Sequence, residues 1–308
     1  MAEQPGSGRL ATAIERALVD ERPRLLGLAY RITGSRVEAE DVVQEAWVRA
    51  RRARHTAVDR PSAWLTTVVS RLALDRLRAA QRRRESYVGP WLPEPVVTVE
   101  EPGSPGADPA QIVEMGESLT FGFLRVLESL TPVERVVFLL ADVFGMPFGE
   151  IAAVVDRSAD ACRQVASRAR SRVRDERRSG GAGHDAEQVA DALVAALRAG
   201  DTDRVLSLLA PEVVLVSDGG AERRAARRPV LGPDRVGRLL LNLARRSVEF
   251  GLRVERGTYN GQQGAVALWG DVPVFVTAFA VADGRVTEVD TVVSPEKLAA
   301  LALTDPIE

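Results

Sequence analysis

Residues Asp160 to Val173 combine an apolar stripe with a basic, hydrogen-bonding face. Cys162, Val165, Ala166, Ala169 and Val173 recur at helix spacing and would pack inward. Asp160, Arg163, Gln164, Ser167, Arg168 and Ser171 fall on the opposite face. A shorter apolar helix over Pro147–Val155 precedes them, with Asp156-Arg157-Ser158 as the turn and Ser158 as its N-cap. Two helices joined in this way can place the start of the second in the DNA major groove. Arg163 and Gln164 stand where base edges would be read, because both can make bidentate hydrogen bonds. Arg170, Arg172 and Arg174 lie further along and suit phosphate contact. An ordinary helical hairpin with a solvated basic face would carry the same pattern. Cys162 reads as a small core residue rather than a reactive thiol.

A second group lies on a helix from Ala63 to about Arg84. Trp64 is followed by Arg71, Arg76, Arg78, Arg82, Arg83 and Arg84. Arginines beside an aromatic can track single-stranded phosphates while bases stack or flip; a plain core role for Trp64 is the alternative. Glu38, Glu40, Asp41 and Glu45 cluster on and before the helix that carries Trp47. Such an acidic face suits a basic protein partner, and compensation of a helix dipole would also account for Glu38 to Asp41. In the last third, Asp218, Tyr259, Trp269, Asp271 and Asp290, with His184 at its start, are the side chains from which an acid and base could be drawn. Asp218 and Asp271 stand beside glycines, where turn roles are the plainer reading.

Helices must position the first two groups. Leu25, Leu28, Ala29 and Ile32 form one stripe, ended by Thr33-Gly34-Ser35. Val42, Val43, Ala46 and Trp47 form another. Leu65, Val68, Val69 and Leu72 form a third, opened by Pro61-Ser62. Thr131-Pro132-Val133-Glu134 is a capping box with Pro at the first helical position, followed by Val136, Val137, Leu139 and Leu140. The last third changes character. Helical patterns at 186–199 and 202–210 lead to a strand-like Val213–Ser217 and a helical 233–246. Strand patterns then alternate at Leu252–Tyr259, Ala265–Trp269, Val272–Val281 and Val286–Val292, with hairpin turns at Asn260-Gly261, Gly270-Asp271 and Asp283-Gly284. Helices followed by a strand meander indicate an α+β domain. Gly and Pro between residues 89 and 109 break any helix there, and Ser-Gly-Gly-Ala-Gly at 179–183 forms a second joint.

The chain has 308 residues, 45% hydrophobic and 27% charged, which suits two or three globular domains. Its longest uncharged apolar run, Val272 to Ala282, is far short of the ~20 residues of a membrane helix. No secretory signal is expected at the N-terminus. One cysteine and two histidines, His55 and His184, exclude a disulfide framework and argue against a Cys/His metal site; no cofactor is expected. A cytoplasmic location follows as an expectation. Of 41 basic residues only Lys297 is lysine. Net charge is only -2, but the charges are segregated. Residues 60–84 carry seven Arg and one Asp, and residues 157–178 carry eight Arg and three acidic groups. Between them, residues 85–118 carry seven acidic groups and no basic one. Two basic blocks around an acidic connector invite nucleic-acid binding despite the near-neutral total.

Tyr30-Arg31-Ile32-Thr33-Gly34, followed by Ala39-Glu40-Asp41-Val42-Val43-Gln44-Glu45-Ala46-Trp47, resembles region two of extracytoplasmic-function (ECF) sigma factors. Pro61-Ser62-Ala63-Trp64-Leu65 and Arg71-Leu72-Ala73-Leu74-Asp75-Arg76-Leu77-Arg78 resemble that family's next block, and the helix-turn-helix falls where region four belongs. The resemblance covers residues 20–178. It implies that Asp41, Gln44 and Glu45 bind core RNA polymerase. Trp64, Arg71, Asp75, Arg76 and Arg78 would bind and help melt the minus-ten promoter element. Asp160, Arg163, Gln164, Ser167, Arg168 and Arg170 would contact the minus-thirty-five element. The acidic linker would thread the polymerase channels. Trp91-Leu92-Pro93-Glu94-Pro95 resembles the signature of a subgroup with a fused SnoaL-like, cone-shaped C-terminal domain that takes the regulatory role of a separate anti-sigma factor. Asp218-Gly219-Gly220 resembles the start of that subgroup's Asp-Gly-Gly-Gly-basic motif. Ala221 and Glu222 depart from its end, where Arg223 and Arg224 offer a basic group. Ser294-Pro295-Glu296-Lys297-Leu298 resembles its Asn-Pro-Asp-Lys-Leu motif. Trp91, Pro93, Asp218, Gly219, Gly220, Pro295, Glu296 and Lys297 are therefore expected at a regulatory contact.

The expected organisation is region two over 10–88, an acidic linker over 89–109, region four over 110–178 and a SnoaL-like domain over 184–303. Three functions fit: a sigma factor controlled by its fused domain, a bifunctional chain whose C-terminal domain is an enzyme or binds a small effector, and a conventional helix-turn-helix regulator with a sensor domain. The Trp64–Arg84 block and the acidic linker argue against the third, since an operator binder needs neither.

Overall fold

The computed structural model describes residues 7–52, 58–84, 87, 89–98, 119–176 and 185–302. His55, His184, the linker beyond Thr98, the joint at 179–183 and the side chains of Arg83 and Arg84 lie outside the described residues. Two compact units emerge. One comprises Met1–Glu85 with Leu127–Glu176, the other Ser86–Val126 with Arg177–Pro306.

The first unit is helical: α1 (Ser7–Asp20), α2 (Arg22–Thr33), α3 (Arg36–Arg52), α4 (Pro61–Arg84), the end of α5 (Phe121–Glu128), α6 (Pro132–Phe138), α7 (Phe148–Val155) and α8 (Ala159–Glu176). The three apolar stripes read from the sequence meet here, with Leu25, Leu28, Ile32, Val42, Val43, Ala46, Leu65, Val69 and Leu72 all buried. Gly34 ends α2 in a left-handed conformation, φ 70°, and its N–H returns to Tyr30 O. The capping box of α6 is formed: Glu134 N donates to Thr131 Oγ1 and Thr131 N to Glu134 Oε2. Continuous with α6, Leu139–Val143 widens into a π-helical turn that the periodicity did not announce.

Among the described residues of this unit three arginines are buried, Arg31, Arg36 and Arg135. Such burial is tolerated only where the guanidinium finds partners. Arg135 donates from Nε to Leu127 O and from Nη1 to Ile32 O, both at 3.0 Å, so one α6 side chain takes up a carbonyl near the end of α2. Desolvation pushes the Arg31 guanidinium down to about 10, and its carbon sits 5.8 Å from the Phe144 ring centre.

The second unit is α+β, with the helices-then-sheet order expected of a SnoaL-like domain. α9 (Ala186–Ala199) and α10 (Thr202–Leu208) precede β1 (Leu209–Asp218), β2 (Val230–Leu231) and α11 (Pro233–Glu249). β3 (Arg253–Tyr259), β4 (Gln262–Trp269), β5 (Val272–Ala282) and β6 (Arg285–Val292) form the meander, and the short α12 (Pro295–Leu298) follows. The sheet order is β2-β1-β6-β5-β4-β3. β1 begins at Leu209, so the helical pattern at 202–210 stops two residues early. β1 pairs parallel with β6, a long-range closure that no local pattern signals.

Strand side chains alternate between two faces. Leu215, Phe279, Val281, Val286 and Val289 point to a core shared with α9, α10 and α11. Val216, Tyr259, Val266, Val276 and Val292 point the other way, to a second core completed by Leu92 and Phe121. Sheet burial on both sides explains the almost unbroken apolar run of β5. Leu92 comes from the acidic connector, and Phe121 is the first residue of α5. Each buried side chain of this size contributes roughly 1.5–3 kcal/mol relative to exposure.

Candidate functional site

The motifs Trp91–Pro95, Asp218–Gly220 and Ser294–Leu298 meet at one buried ion pair. Lys297 Nζ lies 2.6 Å from Asp218 Oδ2 and also donates to Leu92 O. Leu92 N donates to the same Asp218 oxygen at 2.7 Å. Gly220 N donates to Asp218 Oδ1 at 2.9 Å, and the Tyr87 hydroxyl donates to that oxygen as well. The Lys297 ammonium lies 4.2 Å from the Trp91 ring centre and 5.2 Å from that of Tyr87. Asp218 thus does more than shape a turn. Desolvation, then the hydrogen bond to Asp218 and its charge, push the Tyr87 phenol above its ordinary range. Two glycines permit the approach. A Cβ on Gly219 would fall 2.3 Å from Arg223 O, and one on Gly220, at φ 63°, would fall 2.7 Å from Ser294 Oγ. Pro93 is buried, whereas Pro295 and Glu296 are exposed on α12. The cation facing Asp218 is Lys297, and Arg223 and Arg224 lie exposed in the turn that follows.

Three further sets of contacts, which sequence reasoning missed, hold residues 96–98 and the start of α5 to the same domain. Asn260, at φ 53° in the β3–β4 turn, is fully buried. Its N–H donates to Val96 O at 2.9 Å, its Oδ1 accepts from Val96 N at 3.0 Å, and its Nδ2 donates to Leu119 O at 3.2 Å. Thr98 N donates to Thr258 O, so Val97 adds an antiparallel bridge to the edge strand β3. On α5, Arg125 pairs with Asp290 at 2.9 Å and Glu288 at 3.1 Å. Burial raises the Asp290 carboxyl to about 7; Arg125 opposes the shift and Glu288 adds to it.

In the helical unit, Asp41 and Gln44 are exposed on α3, opposite the buried Val42, Val43 and Ala46. Glu45 is half-buried and pairs with Arg49 at 2.7 Å. Asp41 also pairs with Arg76 of α4 at 3.5 Å, so residues expected at polymerase and at promoter adjoin one another. Trp64 is half-buried. Arg78 reaches Asp75 at 3.4 Å, and Arg60 pairs with Glu150 at 2.8 Å. Arg71 donates to Ala153 O on α7.

The helix-turn-helix is α7 and α8, joined by Asp156 in a left-handed conformation at φ 54°. Ser158 caps α8 through Ala161 N, 3.2 Å away. Asp160, Arg163, Gln164, Ser167 and Arg168 are all exposed on one face. Arg163 pairs with Asp160 and packs near the Phe148 ring. Arg170 and Arg172 are braced by Asp142, at 2.6 Å, and Glu134, at 2.9 Å. Cys162 is fully buried, and burial pushes its thiol up.

The acid/base candidates do not converge. Asp218, Tyr259 and Asp290 lie on the sheet face covered by the joining segment. Trp269 is exposed, and Asp271 sits in its hairpin turn, 3.2 Å from Arg253. Among the described residues, no cluster of His, Cys, Asp and Glu is arranged to hold a metal ion. No helix among them is long and apolar enough to cross a membrane.

A helical unit with a basic helix-turn-helix defines a DNA-binding transcription factor. Residues 18–83 match the family model "Sigma-70 region 2" and residues 121–173 match "Sigma-70, region 4". The chain is 41% identical over 294 residues to the ECF RNA polymerase sigma factor SigJ of Mycobacterium tuberculosis, covering 92% of this chain and 93% of that protein. It is 32% identical to the probable ECF sigma factor SigI of the same species, over 90% of this chain and 92% of the relative. The crystal structure of M. tuberculosis SigJ superposes with a TM-score of 0.71 at 39% identity, covering 93% of this chain and 97% of that one. The chain belongs to the ECF RNA polymerase sigma factors, in the form that carries an additional C-terminal α+β domain.

Proposed function

We propose that this sigma factor joins core RNA polymerase through Asp41, Gln44 and Glu45. It recognises and opens the minus-ten element with Trp64, Arg71, Asp75, Arg76 and Arg78. It reads the minus-thirty-five element with Asp160, Arg163, Gln164, Ser167, Arg168 and Arg170. The exposed face of α8 supports the last assignment for Asp160, Arg163, Gln164, Ser167 and Arg168, whose side chains are free of the core and lie along one side of the helix, while Arg170 is half-buried against Asp142. The work is done in the cytoplasm, where polymerase and promoter are.

The C-terminal domain modulates initiation in place of a separate anti-sigma factor, by holding the segment between the two promoter-binding blocks. The observation that carries this reading is the Lys297–Asp218 pair closed over Leu92. That segment cannot be gripped by the sheet and threaded through polymerase channels at once. The test is transcription in vitro from candidate promoters with core polymerase and the full chain, beside the Lys297→Met and Asp218→Asn variants. Transcripts that require the added chain support the sigma assignment. A changed output in both variants, at equal polymerase binding, supports modulation, and unchanged output in both removes it.

A further inference from the structure

The Lys297–Asp218 pair and its contacts to Leu92 and Tyr87 form a latch, and the sheet face opposite it holds a cavity that none of the assigned contacts uses. α9 and α11 stand off the curved sheet there and leave about 330 Å³, lined chiefly by leucine, valine, alanine and the rings of Phe275 and Phe279. This falls at the lower end of the range in which small-molecule sites occur, about 300–1,000 Å³. The two hydroxyls in the wall are already engaged. Ser247 donates to Leu243 O at 2.9 Å, and the Thr277 and Thr291 hydroxyls share a bond at 3.1 Å. Such a wall offers water few partners, and an apolar cavity of this kind takes apolar guests. Among the described residues the one charge in the lining is Arg198, exposed at the end of α9, where Nη2 donates to Val254 O at 2.8 Å. The rim is apolar as well: Val248 lines the cavity yet is 75% exposed, and Phe250 beside it is 70% exposed. An exposed apolar side chain in the cavity wall, with a second exposed apolar residue two positions on in sequence, offers an apolar molecule a way in.

We propose that the C-terminal domain binds a small amphiphile, an apolar body within this cavity and a single anionic head at Arg198. Among the described residues no carboxylate, imidazole or phenol lines the cavity, and Asp218, Tyr259 and Asp290 face the other way. The site therefore binds its guest without acid–base chemistry.

The test uses the full chain with dodecanoate and dodecanol, each below its micelle-forming concentration. Two readouts are taken: thermal unfolding and displacement of the fluorescent probe N-phenyl-1-naphthylamine. Ligand that binds only the folded state raises Tm by mass action. Both molecules are expected to raise Tm and displace the probe, dodecanoate at several-fold lower concentration. Arg198→Gln should bring dodecanoate to the level of dodecanol. Ala244→Phe fills the cavity from the helix side and Ala265→Leu from the sheet side; each should abolish both responses while leaving the unliganded Tm at or above that of the parent. Two fillings from opposite walls guard against a variant that fails to fold. Absence of any response in the parent chain, or responses that survive either folded filling variant, overturns the site. Equal binding of acid and alcohol, unchanged by Arg198→Gln, overturns the assignment of the head.

Discussion

Lys297 Nζ and Asp218 Oδ2 are 2.6 Å apart, one charge wholly buried and the other nearly so. They are separated by 79 residues in sequence, and Leu92 closes the pair from a further 126 away. Lys297 is the only lysine in a chain with 41 basic residues. The compact ammonium fits between the Trp91 and Tyr87 rings while reaching two acceptors, a geometry the planar guanidinium fork does not share. Removing one partner of a buried pair leaves an uncompensated charge, at about 3–5 kcal/mol. Lys297→Met should destabilise the second unit by that order, and Lys297→Arg should not restore it. Lys297→Met with Asp218→Asn should recover most of the loss, because the stranded charge is gone. Denaturant unfolding of the parent, Lys297→Met, Asp218→Asn and the double variant, read as a double-mutant cycle with Lys297→Arg measured beside it, checks this; additive single effects would remove the pair from the account.

The glycines of the same site answer to backbone rather than charge. Gly219→Ala puts a methyl 2.3 Å from a backbone carbonyl oxygen, which cannot swing aside. Gly220→Ala meets the Ser294 hydroxyl, which can rotate, but adds the strain of φ 63°. Both should lower Tm. Ser294→Ala should relieve part of the Gly220→Ala loss and none of the Gly219→Ala loss.

Asp290 predicts a pH dependence with a definite sign. Its carboxyl is raised to about 7 in the fold, against about 3.9 in an unfolded chain. Between those values the folded state holds more protons than the unfolded one, so its contribution to stability falls as pH rises. It is fully present below about pH 4 and is lost as pH climbs through about 7. Asp290→Asn should flatten this part of the profile, and Arg125, which holds the charged form, should set how far the loss goes. Thermal unfolding of parent and variant between pH 5 and 8 provides the measurement. A parent whose stability rises over that window relative to Asp290→Asn would contradict the assignment.

Local periodicity made the helices legible. The stripes at Leu25–Ile32, Val42–Trp47 and Leu65–Leu72 required only neighbours in sequence, and the capping box at Thr131 required four residues. The hairpins were equally local, since Asn260-Gly261 and Asp283-Gly284 announce their own turns. What Asn260 grips was hidden, because Val96 and Leu119 lie 164 and 141 residues away. The same holds for the parallel β1–β6 pairing and for Arg71 at Ala153. Motif resemblance named the residues of the latch, but only the fold makes Trp91, Asp218 and Lys297 a single site. It also anchors on one sheet both the start of the acidic connector, through Leu92 and Val96, and the start of the block expected as region four, through Leu119 and Phe121. Cutting the chain after residue 178 would strip Leu92 and Phe121 of their core, so point variants of the full chain report on regulation more cleanly than truncation.

The exposed face of α8 separates two kinds of promoter contact. Gln164 and Arg163 stand in the first turns, where a bidentate side chain discriminates bases, and Arg168 lies a turn further on. Gln164→Ala should cost about 1–3 kcal/mol on the preferred upstream element and relax the preference at one base position. Arg168→Ala should weaken initiation alike on all upstream sequences and lower the salt slope of holoenzyme binding by about 1, the loss of one phosphate contact. Arg163 differs again, because its pairing with Asp160 holds the guanidinium near the Phe148 ring before DNA arrives. Asp160→Ala should therefore free Arg163 and raise non-specific binding while lowering discrimination. Transcription by reconstituted holoenzyme from a library varied across the upstream element, at two salt concentrations, distinguishes the three. If Gln164→Ala and Arg168→Ala gave the same uniform loss, α8 would be bound to the backbone alone and base reading would lie elsewhere in the chain.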